Sequence, residues 1–332
     1  MRALILEQAK PVEQNPLREA DLPLPQPGPG QVRVKVSACG LCHTDLHTVE
    51  GDLPPHKHPV VPGHQIVGRV DALGNGVLQY KEGDRVGIPW LHSTDGACDF
   101  CRRDLENLCS KARFTGYDVD GGYAEYTVAP AEFCYPIPSA FADENAAPLL
   151  CAGIIGYRSY RLSGIRAGEN LGLYGFGASA HLVIQLAQHQ RVNVFVFTRS
   201  ESHRRHAQEL GAVWTGRAED TPPERLHAAI IFAPAGTLVP EALRVLRKAG
   251  TLALAGITMS QIPPLDYSLV YDEKAIRSVA NSTRRDAREF LSLAAEVPLK
   301  TEVQLFDLAQ ANQALQALKT SSIRGAGVLR IR

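Results

Sequence analysis

A chain of 332 residues that is 45% hydrophobic and 21% charged has the length for two domains and the make-up of a soluble globular fold. Its 35 basic and 35 acidic side chains cancel, so no global field draws it to nucleic acid or to an anionic membrane. The opening residues Met1–Glu7 turn polar too soon for a secretion signal, and no apolar run approaches the ~20 residues of a spanning helix.

The first ~150 residues read as short strands with turn punctuation. Proline and glycine crowd 23–30, which must be a loop. Gln31–Val36 alternates with period two, and Ile66–Val70 and Arg85–Ile88 are further strand candidates. Between them stands Cys39-Gly40-Leu41-Cys42-His43-Thr44-Asp45-Leu46-His47, followed by Pro62-Gly63-His64-Gln65. Another segment, Asp95-Gly96-Ala97-Cys98-Asp99-Phe100-Cys101 with Cys109 after it, gathers three cysteines and an acid. Cys151 follows in Leu149-Leu150-Cys151-Ala152-Gly153. Seven cysteines clustered with histidine suit metal ligation in a reducing compartment, and the expected location is cytoplasmic.

Beyond Pro148 strands and helices alternate. Glu169–Tyr174, Val192–Phe197, Ala228–Phe232, Thr251–Ala255 and Ile276–Ala280 read as strands. Helical patterns such as Pro240–Arg247 separate most of them, which argues for a doubly wound parallel sheet. A helix over Leu308–Lys319 and a strand over Val328–Ile331 close the chain. Between the first two of these strands, Gly175-Phe176-Gly177-Ala178-Ser179-Ala180 fits G-x-G-x-x-A. Gly175 permits the tight turn and Gly177 a close backbone approach to a pyrophosphate. Ala180 permits close packing, and the following helix offers free N–H groups. Enzymes that use NAD carry an acid ~20 residues further on. Here that place reads Phe197-Thr198-Arg199-Ser200, with Arg204 and Arg205 behind it. A hydroxyl and guanidinium groups suit a phosphate, so NADP(H) is expected over NAD(H). The alternative is that these arginines form a solvated helix face.

Two thiolates and one imidazole make a zinc site with an open fourth position, the mark of catalytic zinc. With the glycine turn, that set resembles the zinc-dependent alcohol dehydrogenases of the medium-chain dehydrogenase/reductase superfamily. The likeness runs along nearly the whole chain. It implies a GroES-like, β-rich catalytic domain over 1–148, a Rossmann cofactor domain over 149–284, and a segment over 285–332 that returns to the first domain. It implies hydride transfer between a nicotinamide cofactor and an alcohol or aldehyde, and a homodimer or homotetramer. Residue by residue, it makes Cys42, His64 and Cys151 the catalytic zinc ligands and Asp45 the carboxylate that orients His64. Thr44 and His47 pass the alcohol proton outward. His43 and Arg324 lie near the cofactor pyrophosphate, and Trp90 narrows the pocket in favour of primary alcohols. Trp90 could equally be a core residue.

Two departures stand out. Gln65 replaces a usual glutamate, which puts in doubt any ligand exchange through a carboxylate. Asp95 replaces the first cysteine of the structural zinc loop, so that Asp95, Cys98, Cys101 and Cys109 would hold the metal. The alternative is a metal-free lobe. Cys39 and Cys42 could also form a redox pair, although the resemblance makes Cys39 a packed side chain. Cys134 reads as buried, and His56 and His58 as solvated. The rival functions are a zinc-free quinone or enoyl reductase on the same scaffold and a non-enzymatic nucleotide-binding protein.

Overall fold

The computed structural model describes residues 1–331. The chain divides into two compact units. The first holds Met1–Cys151, Ser282–Glu296 and the chain from Thr301 onward; the second holds Ala152–Asn281 and Val297–Lys300.

In the first unit, β1 (Gln31–Leu41) leads into helix α1 (His43–Glu50), and β2 (Gln65–Leu73) and β3 (Arg85–Ile88) follow. β1 runs five residues past the alternating stretch seen in the sequence. Of these, Ala38–Leu41 are all buried, and alternation fades where neither face meets water. Antiparallel pairing of β1 with β2 sets Cys39 opposite Ile66 and Gly40 opposite Gln65. The same register therefore brings His64 beside Cys42. Val32, Val34, Ile66, Val86 and Ile88 are fully buried beneath this sheet.

The second unit is a six-stranded sheet of β4 (Asn170–Tyr174), β5 (Asn193–Phe197), β6 (Trp214–Gly216), β7 (Leu226–Ile231), β8 (Leu246–Leu254) and β9 (Ala275–Ser278). The spatial order is β6-β5-β4-β7-β8-β9 and every pairing is parallel. This is a doubly wound sheet, and its strand order reverses between β4 and β7. Helix α2 (Ala178–His189) starts directly after β4, and α3 (Glu201–Glu209) after β5. All five residues of β4 are buried, which explains its continuous apolar reading.

The chain then returns to the first unit with α4 (Arg284–Glu296), β10 (Val303–Asp307), α5 (Ala311–Lys319) and β11 (Ala326–Arg330). The expected helix over Leu308–Lys319 begins as a 3-10 turn, Leu308–Gln310. β11 pairs antiparallel with β1, Val328 against Gly40 and Leu329 against Cys39. The carboxy-terminal strand thus props the segment that carries Cys42. Among the described residues no helix is long and apolar enough to cross a membrane.

One glycine controls the approach to His64. Gly63 has φ 98°, and a Cβ there would lie 2.4 Å from the Tyr123 ring and 2.9 Å from the Cys39 Sγ. Gly63→Ala combines left-handed strain of roughly 1–2 kcal/mol with overpacking of roughly 1–3 kcal/mol. We expect it to destabilise the protein by about 2–5 kcal/mol, read as a lower midpoint in urea unfolding. An unchanged midpoint would mean that this turn is not held as described.

Candidate metal centre

Cys42 sits at the amino-terminal cap of α1. Its Sγ accepts from the Thr44 N–H at 3.3 Å, and its own N–H donates to Asp45 Oδ2 at 2.8 Å. The other carboxylate oxygen, Oδ1, holds His64 Nδ1 at 2.9 Å, with both side chains at most 2% exposed. One buried carboxylate therefore ties the helix cap to the histidine. With Nδ1 engaged, Nε2 is the nitrogen left to bind, and it lies 3.4 Å from Cys42 Sγ. Cys151 closes the set with its Sγ 3.9 Å from that of Cys42. It is carried there by the buried 3-10 turn Ala147–Leu150.

These distances can be compared with the ion they would hold. Tetrahedral zinc with sulfur at ~2.3 Å and nitrogen at ~2.0 Å requires ~3.8 Å between sulfurs and ~3.5 Å between sulfur and nitrogen. The spacing fits. The charges fit as well. Burial pulls the His64 proton affinity down, but the Asp45 and Cys42 charges outweigh it and push the ring up to about 10. The hydrogen bond from the Cys151 thiol holds Cys42 well below the usual thiol range, against the effect of burial. Conversely, that bond and burial keep the proton on Cys151. Two thiols and a carboxylate around one imidazole are the surroundings of a dication, not of an apolar core.

Thr44 is buried, His47 is half-buried one turn later on the same face of α1, and His43 is exposed. Gln65 is buried, and its Nε2 has no hydrogen-bond partner among the described residues. Gly40 leaves room for it: a Cβ there would lie 2.9 Å from Gln65 Oε1. Trp90 is partly exposed and packs edge-on against His64, with ring centroids 4.9 Å apart. Its own face stacks on Phe114 at 5.1 Å, and Tyr117 lies 5.7 Å away. Sequence reasoning does not find Phe114 and Tyr117, nor Asp52, whose carboxylate meets His47 Nδ1 at 2.8 Å. A glycine ending a helix just before an acid is the signal that could have found Asp52. Cys39 and Cys134 are buried, and His56 and His58 exposed.

The second cluster lies in the same unit. Ligand atoms of Asp95, Cys98, Cys101 and Cys109 all come within 4.8 Å of one another, and the Cys98 and Cys101 sulfurs are 3.5 Å apart. Asp95 Oδ1 accepts from the N–H groups of Cys98 and Ala97, which holds the carboxyl well below its usual range. Burial pushes the Cys101 thiol up to about 11. An ionised aspartate on a rigid turn can stand in for a thiolate. Below the lobe, buried Glu106 takes the Arg284 N–H at 2.9 Å and anchors it to α4.

In the other unit, Gly177 caps α2, and a Cβ there would meet nothing within 4 Å. The helix amino terminus is thus open to a phosphate, as a dinucleotide site requires. Ala178 and Ser179 begin α2, and Ala180 is buried against the sheet. Beyond β5, Arg204 donates to the Thr198 carbonyl at 2.9 Å and pairs with Glu201, so it shapes the strand end. Arg199 and Arg205 are exposed. Arg324, in the first unit, is an exposed side chain paired with Glu302 at 2.9 Å.

Comparison with known proteins covers both units. The family model for the "Alcohol dehydrogenase GroES-like domain" matches residues 28–139, and that for "Zinc-binding dehydrogenase" matches residues 180–296. "Probable alcohol dehydrogenase AdhA" of Mycobacterium tuberculosis is 46% identical over 100% of this chain and 97% of its own length. An alcohol dehydrogenase of Geobacillus stearothermophilus is 36% identical over the whole of both chains. Among solved structures, a cinnamyl alcohol dehydrogenase of Sorghum bicolor superposes with a TM-score of 0.89 at 26% identity, over 99% of this chain and 97% of its own.

Asp45→Asn tests the carboxylate bridge. An amide can still accept the Cys42 N–H, but it cannot give His64 a charged partner. Loss of such a partner costs metal affinity by roughly 10–100-fold. Competition against a chromogenic chelator should show that loss. Zinc retention equal to wild type would remove Asp45 from the account.

Proposed function

This chain belongs to the zinc-binding alcohol dehydrogenases of the medium-chain superfamily, and on that premise we propose a role for each residue of its site. The enzyme is an oxidoreductase that uses zinc and a nicotinamide cofactor. We assign the catalytic zinc to Cys42, His64 and Cys151, and a structural zinc to Asp95, Cys98, Cys101 and Cys109. The observation that carries the assignment is the buried Asp45 bridge, which aims His64 Nε2 at the two thiols.

Bound zinc supplies Lewis acidity at the substrate oxygen, and bound nicotinamide exchanges the hydride. The protein's own task is to move a proton and exclude wrong substrates. Thr44 Oγ1 takes the proton of the alcohol in oxidation and returns it in reduction. His47, one turn along the same helix face and half exposed, passes it to solvent. Trp90 stands against the zinc ligand His64 and is backed by Phe114, so its ring cannot readily swing away. A rigid aromatic wall there favours primary alcohols and their aldehydes over bulky secondary ones. Gln65 brings no charge to the metal, which leaves water exchange there without help from a carboxylate.

NADP(H) is favoured over NAD(H), because β5 is followed by Thr198 and exposed Arg199, while the nearby acid Glu201 is paired with Arg204. A cell that keeps NADPH reduced would run the reaction toward the alcohol. The exposed edge strand β9, flanked by exposed Tyr267 and Tyr271, supports a homodimer or homotetramer built through the sheet edge. Seven free thiols suit the reducing cytoplasm.

Arg199→Ala should raise the Michaelis constant for NADPH by roughly 10–100-fold, the worth of a charge-assisted bond to phosphate, and leave that for NADH nearly unchanged. Equal values for NADPH in variant and wild type would sink the cofactor preference. Thr44→Val should abolish most alcohol oxidation while zinc content stays at the wild-type level. Full activity would refute the proton path.

A further inference from the structure

We propose that Asp52 is a positioning residue for the proton path, holding His47 in the tautomer whose Nε2 accepts the proton. The proposal rests on the relay reading above. It starts from how α1 ends. Gly51 takes φ 91°, and the N–H groups of Gly51 and Leu53 both donate to the His47 carbonyl, at 3.0 and 3.1 Å. That cap folds the chain back over the last helical turn and brings Asp52 Oδ2 to 2.8 Å from His47 Nδ1. A nitrogen beside an ionised carboxylate carries its proton, so Nδ1 is the donor and Nε2 the acceptor.

The other charged groups around this helix are turned elsewhere. Asp45 holds Cys42 and His64. Glu50 and Glu13 hold Lys319 of α5. His43 lies on the same helix with its ring 6.4 Å from that of His47, and Lys10 touches α1 through its backbone at Val49. Asp52 is 60% exposed, so water screens it and the effect is modest.

The test compares Asp52→Asn, Asp52→Glu, His47→Gln and the double variant Asp52→Asn/His47→Gln as zinc-loaded enzymes. Two readouts serve: the imidazole nitrogen-15 spectrum, with His47 assigned by its loss in His47→Gln, and the pH profile of kcat for alcohol oxidation. An asparagine amide can donate to Nδ1, so the proton should move to Nε2 in Asp52→Asn. We expect kcat to fall roughly 3–10-fold there, with KM, zinc content and thermal midpoint unchanged. The pH profile of kcat should also differ between Asp52→Asn and the wild-type enzyme. Asp52→Glu should recover part of the rate, and the double variant should be no slower than His47→Gln. If His47→Gln is impaired while Asp52→Asn keeps the wild-type tautomer and pH profile, Asp52 merely closes a turn and the proposal is overturned. If His47→Gln itself has the wild-type rate and profile, the relay reading fails and the role of Asp52 fails with it.

Discussion

One buried carboxylate organises the site. Asp45 spends one oxygen on the amide of Cys42 and the other on Nδ1 of His64, and its own side chain is only 2% exposed. A carboxylate in that position is costly unless both oxygens are satisfied and a compensating charge lies near. In the proposed reading, a dication held by two thiolates and an imidazole would be that compensation. The helix start, the tautomer of the histidine and the nitrogen it offers to the metal thus all follow from one side chain. The scaffold serves the same end. Antiparallel register sets His64 beside the end of β1, β11 props β1 from the other side, and a buried 3-10 turn delivers Cys151.

The two clusters differ in what they could hold. The first offers three ligands, so the proposed reading leaves a position there for substrate. The second uses four ligands from one short segment, and its aspartate is fixed by two backbone N–H groups before any ion arrives. An oxygen in place of a sulfur gives that lobe one thiolate fewer to oxidise and a harder donor set. In the proposed reading the proton path is built on α1 as well, with Thr44 and His47 on one face, so the helix that Cys42 begins would also carry the proton away from it. Zinc ligand and relay would then share one short element, held by its two caps.

Much of this is legible in the amino-acid sequence itself. Cys42, His64 and Cys151 stand out by residue type, and Gly175-x-Gly177 stands out because a strand precedes it and a helix follows. Asp95 shows itself by spacing alone. The features that the sequence hides are informative. Ala38–Leu41 continue a strand without alternating, because all four are buried whichever face they point to. Arg204 reads as a phosphate ligand, but α3 turns its guanidinium onto the Thr198 carbonyl and Glu201, a pairing that depends on the helix cap at Ser200. The Trp90 ring against His64 joins residues 26 apart across a sheet, and no periodicity encodes it. Asp52 reaches His47 only because Gly51 adopts a left-handed turn.

Metal content per chain, measured by mass spectrometry on the purified protein and on Cys42→Ala and Asp95→Ala, tests the central claim most directly. The account predicts two zinc ions in the wild-type chain and one in each variant, with alcohol oxidation lost from Cys42→Ala. A wild-type chain that holds no zinc and still oxidises alcohols with a nicotinamide cofactor would contradict it.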